Sequence, residues 1–487
     1  MFAEIKRLST HISVYGFTNI LSRSLSFVLL PIHTRILEST ADYGVAIIIF
    51  AFIGFVNVLY LHGIDTAFLR FYLLREKGFT KKNVFSTAMF SISAASIVLS
   101  TCIFLYSDHF SRLCFNTSEY SHILKYTSGI LFFDSLAIVP FLTLRAEERS
   151  FKFMVLKLII IILTIGFNIY FVVQKGVEGI FIANFLASIA AFALVLPIIT
   201  AKITLTFSKK VYKELLKFGI PYIIPGFSII SMDLIDRFFI ERMLGESAAG
   251  IYGAGYKMAM AMAVAVASFR FAWHPFFLSI AENKNAKDIF ARVLTYFVTI
   301  AGWLYLFITF FIQDIVAIQV PFIGGNLIRQ EYWGGMSIVT VVMAAYIFYG
   351  IYVNFVVGIY IKKKSLYLAA ITGVAASINI VLNFYLIPRF NMMGAAVATV
   401  TAYACMALML ALVTRKLFSI QYEYGRLLHV AIIIGTFIFL YVNFFNEYNL
   451  LLKFIILGAY PFILLISGFF KPDEKAALRN KFNMMLS

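Results

Sequence analysis

The chain has 487 residues, of which 61% are hydrophobic and only 13% charged, with a formal net charge of +17. A mean hydropathy of +0.89 lies far above that of a soluble domain and defines an integral membrane protein. The positive charge falls almost wholly in short gaps between apolar runs, which excludes a nucleic-acid partner, and runs of about twenty residues exclude a barrel of short alternating strands.

The fold class is therefore all-α, a polytopic bundle of about fourteen transmembrane helices. In chain order the spans lie near 12–34, 43–62, 84–107, 122–142, 154–174, 177–200 and 218–243. The remainder lie near 249–274, 292–313, 335–360, 366–388, 392–414, 427–445 and 450–470. The first run follows Lys6 and Arg7 but is long and lacks a small-residue cleavage site, so it reads as a retained span. One set of alternate loops collects nearly all the Lys and Arg, among them Lys81, Lys82, Arg145, Lys157, Lys209, Lys210, Lys362 and Arg426. The opposite loops hold singletons such as Arg35, Arg242 and Arg329. By the positive-inside rule both termini are cytoplasmic. Among basic residues only Arg23, Arg237, Lys257 and Arg270 then remain inside spans.

Offsetting the chain by 215 residues lays Phe167–Ser188 over Leu382–Tyr403, matching Asn168 with Asn383, Tyr170 with Tyr385 and Gly179 with Gly394. Both segments cover a span end, a short turn and a span rich in small residues, which implies a six-helix unit used twice. The expected organisation is a first lobe over 1–207, a second over 208–416, and two appended helices with a tail over 417–487. Two such lobes enclose a central cleft, a recurrent transporter plan with the substrate between the repeats.

Ionised groups at membrane depth are costly and usually face a bundle interior, a partner charge or a water-filled path. Arg23 lies about eleven residues into its span, near mid-bilayer at 1.5 Å per residue, and could donate two parallel hydrogen bonds to a phosphate; it could equally bridge helices. Lys257 and Arg270 stand about 140° apart around one helix, so both line one cleft only if it is wide. Asp233, Arg237 and Glu241, spaced by four, predict a carboxylate, guanidinium, carboxylate ladder that either sets a gate or binds substrate or ion. Asp236 points off that ladder and Asp134 has no partner nearby in sequence; either could bind a coupling proton or Na⁺. Pro221 and Pro225 predict a break in the seventh span, and Pro31 a bend in the first, giving hinge positions beside the cleft. Three scattered cysteines and seven scattered histidines give no metal pattern, and no phosphate-binding loop is present, so no cofactor is expected.

The segments LLPIHTRILESTADYG, LRAEERS, GIPYIIPGFSIISMDLIDRFFIERMLGESAAGIYGAGYK and NFYLIPRFNMMGAAVATVTAY resemble the polysaccharide transporter family. These are Wzx-type flippases of the multidrug, oligosaccharidyl-lipid and polysaccharide exporter superfamily. The resemblance implies a non-enzymatic flippase of the bacterial cytoplasmic membrane. Its cargo is an undecaprenyl-pyrophosphate-linked oligosaccharide for O-antigen, capsule or exopolysaccharide assembly, moved by alternating access. Implied partners are that substrate, membrane lipids, a polysaccharide polymerase and a chain-length regulator. Driving forces left open are H⁺, Na⁺ or the membrane potential. Asn391 stands where the family pattern has glycine. A peptidoglycan-precursor flippase, a cation-coupled drug exporter and a membrane glycan polymerase or glycosyltransferase are the competing readings. The last is disfavoured because no loop is large enough for an active site.

Overall fold

In lipid every backbone amide needs a partner within its own segment, so long apolar runs become helices. The computed structural model describes residues 18, 20–21, 25, 27–74, 78–283, 285–321, 324–362, 364, 366–445, 450–472 and 474–475. Helices α1 (Phe27–Ile36), α2 (Thr40–Leu61), α3 (Ile64–Leu74), α4 (Lys81–Leu105), α5 (Ser107–Phe115), α6 (Ser121–Ala146) and α7 (Ser150–Lys202) form the first half. Helices α8 (Lys209–Leu244), α9 (Glu246–Ile280), α10 (Ala286–Ala317), α11 (Val339–Ile361) and α12 (Leu366–Leu417) form the second. The last two are α13 (Tyr424–Leu440) and α14 (Leu450–Ile466). Polar residues set several starts: Ser39 caps α2 in a reciprocal box with Asp42, Thr80 caps α4 and Ser208 caps α8.

Among the described residues ten helices are long and apolar enough to cross a membrane, with α1 and α14 as shorter apolar ones. Both α7 and α12, of 53 and 52 residues, are two spans joined at a sharp corner, which brings the spans to the expected fourteen. The corners are Gly176 (φ 56°, ψ −131°) and Asn391 (φ 51°, ψ −138°), and they lie 215 residues apart in the chain. Three residues later Gly179 and Gly394 fold back on their own preceding arms. A methyl group there would come within 2.1 Å of the Phe171 carbonyl oxygen and 2.3 Å of that of Leu386, again a pair at the same offset. The repeat read from sequence is thus repeated in three dimensions. Asparagine serves at the second corner because, with glycine, it is the residue that best tolerates positive φ.

The interior is built asymmetrically. One continuous core joins α2, α6 and α7 of the first half to α9, α10 and α11 of the second, near the α1–α2 and α8–α9 turns. Toward the other end the halves keep separate cores, one over α8 to α12 and one over α3, α4, α6 and α7 with the start of α8. Helices α13 and α14 pack on α10 through Leu306, Phe310, Tyr441 and Tyr460, and Lys453 pairs with Asp314 at 2.7 Å.

Contacts sort the loops into the two sets that charge predicts. At the basic end Lys202 and Tyr72 bond Glu147, Arg70 stacks on Phe218, and Arg426 bridges Glu423 and Glu474. Burial alone would raise the Glu147 carboxyl, but the Lys202 and Tyr72 donors hold it below its ordinary range. At the same end Lys471, just after α14, pairs with Glu423 at 2.6 Å.

Candidate functional site

The acidic span α8 was expected to break at Pro221 and Pro225, but it runs as a continuous helix through both. What the prolines remove is two ladder bonds, and they do so where the helix borders a cavity rather than a neighbour. This cavity of about 240 Å³ lies between α8, α9, α11 and α12. Arg270 and His274, one turn apart on α9, face it with Tyr222, Tyr349, Tyr352 and Tyr360. Arg270 is exposed to this space and donates to the Tyr349 hydroxyl at 2.6 Å.

A second cavity, of about 390 Å³, lies among α2, α6 and both arms of α7. Asp134 and Lys157 line it with Asn57, Asn184 and Ser188. The two cavities are counterparts. Asp134, Ala137, Ile138 and Phe141 of α6 line the first-half cavity, and Tyr349, Tyr352, Val353 and Val356 of α11, each 215 residues later, line the other. Duplication has left a matching hollow in each half, with a carboxylate in one where the other has a tyrosine.

Farther along α8 the charges are sealed. Asp236 is fully buried and pairs with Arg237 at 3.2 Å while accepting from the Tyr252 hydroxyl. Arg237, 7% exposed, also donates to the Asp233 backbone carbonyl and lies 4.4 Å from the Tyr256 ring centre. The Asp233 carboxylate accepts from Tyr403 at 2.6 Å, with the Tyr256 and Tyr346 hydroxyls at 3.4 and 3.5 Å. The expected three-rung ladder is therefore corrected. Arg237 turns to its neighbour Asp236, the residue read as pointing away, because a planar guanidinium at an apolar depth takes the nearest acceptors. Glu241 lies a turn farther along, with Arg242 and Glu246 as its charged neighbours.

At the charge-poor end the halves are bolted together. Gly44 of α2 and Gly250 of α9 bring the backbones so close that a methyl at Gly250 would lie 1.9 Å from the Thr40 carbonyl oxygen. Around this crossing the Thr40 and Ser247 hydroxyls meet at 2.6 Å, Tyr120 donates to Glu246 at 3.1 Å and Arg242 donates to Asn116. The α10–α11 connection, a two-stranded hairpin (Gln319–Val320 with Gly325–Asn326) and a 3₁₀ turn (Gln330–Ile338), folds over the α1–α2 turn. From it Arg329 donates to the carbonyls of Leu37 at 2.9 Å and Glu38 at 3.0 Å, and Tyr332 to that of Ser39 at 3.2 Å. Lys257 lies inside this closure, 5.2 Å from the Tyr43 ring and 5.9 Å from that of Phe50.

Of the predicted substrate contacts, Arg23 lies outside the described residues. Arg270 faces a cavity, Lys257 caps aromatic rings between the halves, and Arg237 is locked in a buried pair. Pro31 sits within α1, which stays helical through it. The shortlist of intramembrane bases missed Lys157, read as a loop residue; α7 begins at Ser150, which carries Lys157 two turns into the helix. It also missed the tyrosines. Tyr346, Tyr349 and Tyr352, three apart on one face of α11, were the available signal. Among the described residues no group of three or more His, Cys, Asp or Glu could hold a metal.

Two related helical halves, fused at one end and hollow toward the other, define a multi-pass membrane protein of transporter fold. The profile of the family described as "polysaccharide biosynthesis protein" matches residues 32–320, and the chain belongs to that family. Its fold is similar to the lipid II flippase MurJ in an inward closed conformation, with a TM-score of 0.76 at 15% identity over 93% of this chain and 99% of that one. It is also similar to an inward-facing multidrug resistance MATE family transporter of the MOP superfamily, with a TM-score of 0.65 at 15% identity over 84% and 95%. For the Vibrio cholerae MATE transporter VcmN the TM-score is 0.59 at 14% identity over 84% and 96%. No curated protein matches the sequence.

Proposed function

We propose that this chain is a flippase that carries an undecaprenyl-pyrophosphate-linked oligosaccharide from the inner to the outer leaflet of the bacterial cytoplasmic membrane, for assembly of a surface polysaccharide. The observation that carries the reading is the Arg270, His274 and tyrosine cavity, a basic, hydroxyl-lined hollow at membrane depth in a member of a polysaccharide biosynthesis family. A pyrophosphate with about two negative charges meets a barrier of many kcal/mol in hydrocarbon unless protein replaces its water. Arg270 supplies paired donors for it, and the tyrosine hydroxyls supply further ones.

In this reading both termini are cytoplasmic and the fused end faces outward. The halves move by alternating access, and the Asp233, Asp236 and Arg237 cluster with Glu241 sets the gate or senses a coupling H⁺ or Na⁺. The membrane potential alone pushes two negative charges outward by roughly 4 to 5 kcal/mol at 100 mV. A polymerase and a chain-length regulator would act on the product.

The test is complementation of the chain's own host after deletion of this gene, scoring surface glycan and inner-leaflet intermediates. The intact chain should restore surface glycan; Arg270→Ala should insert normally yet let the lipid-linked unit accumulate inside. Full activity of Arg270→Ala would remove the cavity from the transport path. A second cargo, the peptidoglycan precursor, is favoured by the higher fold similarity to a lipid II flippase than to drug transporters. Rescue of a strain depleted of its lipid II flippase would select it.

A further inference from the structure

The first-half cavity has no part in phosphate binding as argued above, and its chemistry is different. We propose that it is a carbohydrate-binding subsite that reads one sugar residue of the translocated unit, an inference that rests on the lipid-linked glycan as cargo.

Size comes first. At about 390 Å³ the cavity has room for a pyranose ring with its substituents, whereas a single water needs only about 15 Å³ of such space. A bare coupling ion would leave most of it unfilled. The donor set also argues against an ion. Cages for hard cations gather oxygens and exclude ammonium groups, but here Lys157 lines the same space as Asp134, and the pair is close to neutral. Lys157 is held in place with its ammonium 4.1 Å from the Phe141 ring centre.

What remains after internal bonding is a mixture of donors and acceptors. Thr164 donates to the Ile160 carbonyl at 2.7 Å, which leaves its lone pairs as acceptors. Asn184 commits its amide nitrogen to the Ile180 carbonyl at 2.7 Å, which frees its amide oxygen. Asp134, which accepts from the Ser188 hydroxyl, still presents carboxylate lone pairs to the cavity, and Lys157 and Asn57 add N–H donors. Each sugar hydroxyl both donates and accepts, so a ring of hydroxyls pairs with such a mixture where a phosphate, which only accepts, would meet Asp134 as a repelling charge. The residues come from α2, α6 and both arms of α7, so the shape is set by packing between helices rather than by a loop. The counterpart cavity puts Tyr349, the partner of Arg270, at the position equivalent to Asp134. One copy of the duplicated hollow suits the phosphates, the other a polyol.

Binding to the purified full-length chain in lipid nanodiscs tests this with two probes. These are the lipid-linked unit extracted from the chain's own host, and undecaprenyl pyrophosphate, which carries no glycan. The intact chain should bind the first roughly tenfold more tightly, the difference expected of one or two well-placed hydrogen bonds. Asp134→Asn, which keeps the shape, and Asn184→Leu should each remove most of that preference while leaving affinity for the glycan-free lipid within about twofold. Arg270→Ala should weaken both probes together. The subsite is overturned if Asp134→Asn and Asn184→Leu weaken both probes equally, or if the preference survives and Asp134→Asn instead abolishes a dependence of transport on pH or Na⁺. If neither probe binds the intact chain, the lipid-linked cargo falls and the subsite with it.

Discussion

Arg237 and Arg270 carry the same charge in the same half of the molecule, and their surroundings divide them. Arg237 spends its donors on Asp236 and a backbone carbonyl in a space closed by four tyrosines, while Arg270 keeps most of its fork toward a cavity. A buried ion pair adds little net stability, but breaking one is expensive because a charge is left uncompensated. Asp236→Ala should therefore lower stability by about 3 to 5 kcal/mol, read as a large fall in thermal midpoint or loss from the membrane. The double variant Asp236→Leu with Arg237→Met should regain most of it, because no unpaired charge remains. If the double variant is stable and still transports, the pair is structural; stable but inactive, it belongs to gating or coupling. From sequence both arginines were visible as candidates, because charge within an apolar run is a local signal. Which one is free was not visible, since the answer lies in tyrosines from α9, α11 and α12. Lys157 escaped because it lies at the start of its expected span, near 154–174, and was grouped with the basic loop that precedes it.

Elements were legible where their signal is periodic or repeated. Fourteen spans, the alternate basic loops and the 215-residue repeat followed from apolar length, charge and small residues, all of which survive without tertiary knowledge. The proline break did not follow, because a helix whose lost bonds border a cavity need not unwind. Short α3 and α5 were also hidden, being too brief for an apolar run to mark. The corner at Asn391 is the testable element. Its φ of 51° is one that asparagine tolerates and glycine adopts freely, as Gly176 does at 56°. Asn391→Gly should be neutral or stabilising by up to about 1 kcal/mol, whereas Asn391→Val should cost about 1 to 3 kcal/mol by forcing a β-branched residue into positive φ. Thermal unfolding in detergent would order the three chains; a Val variant as stable as the parent would show that the corner relaxes at no cost.

At the scale of the whole molecule the halves share a core at one end and keep separate cores at the other, each half with a cavity of its own. A transporter that works by alternating access must part the fused end once per cycle, and beside the shared apolar core that end is held by hydrogen bonds that water can replace. Its hydrogen bonds, side chain to side chain and side chain to backbone carbonyl, are exposed or part-buried, each worth about 1 kcal/mol net, since water can take either partner. The glycine crossing at Gly44 and Gly250 provides close packing without side chains to disentangle, so the helices can separate and return. The Thr40 and Ser247 hydroxyls, 2.6 Å apart across this crossing, offer a place to lock it. In a chain with Cys102, Cys114 and Cys405 replaced by serine, Thr40→Cys with Ser247→Cys should form a disulfide under mild oxidation, the sulfurs being already within reach. Oxidised cells should lose surface glycan and accumulate the lipid-linked unit, reductant should restore export, and each single cysteine variant should be indifferent to both. Export that continues at full rate through the cross-link would mean that this end never opens, and the cargo would then have to leave by another route between the halves.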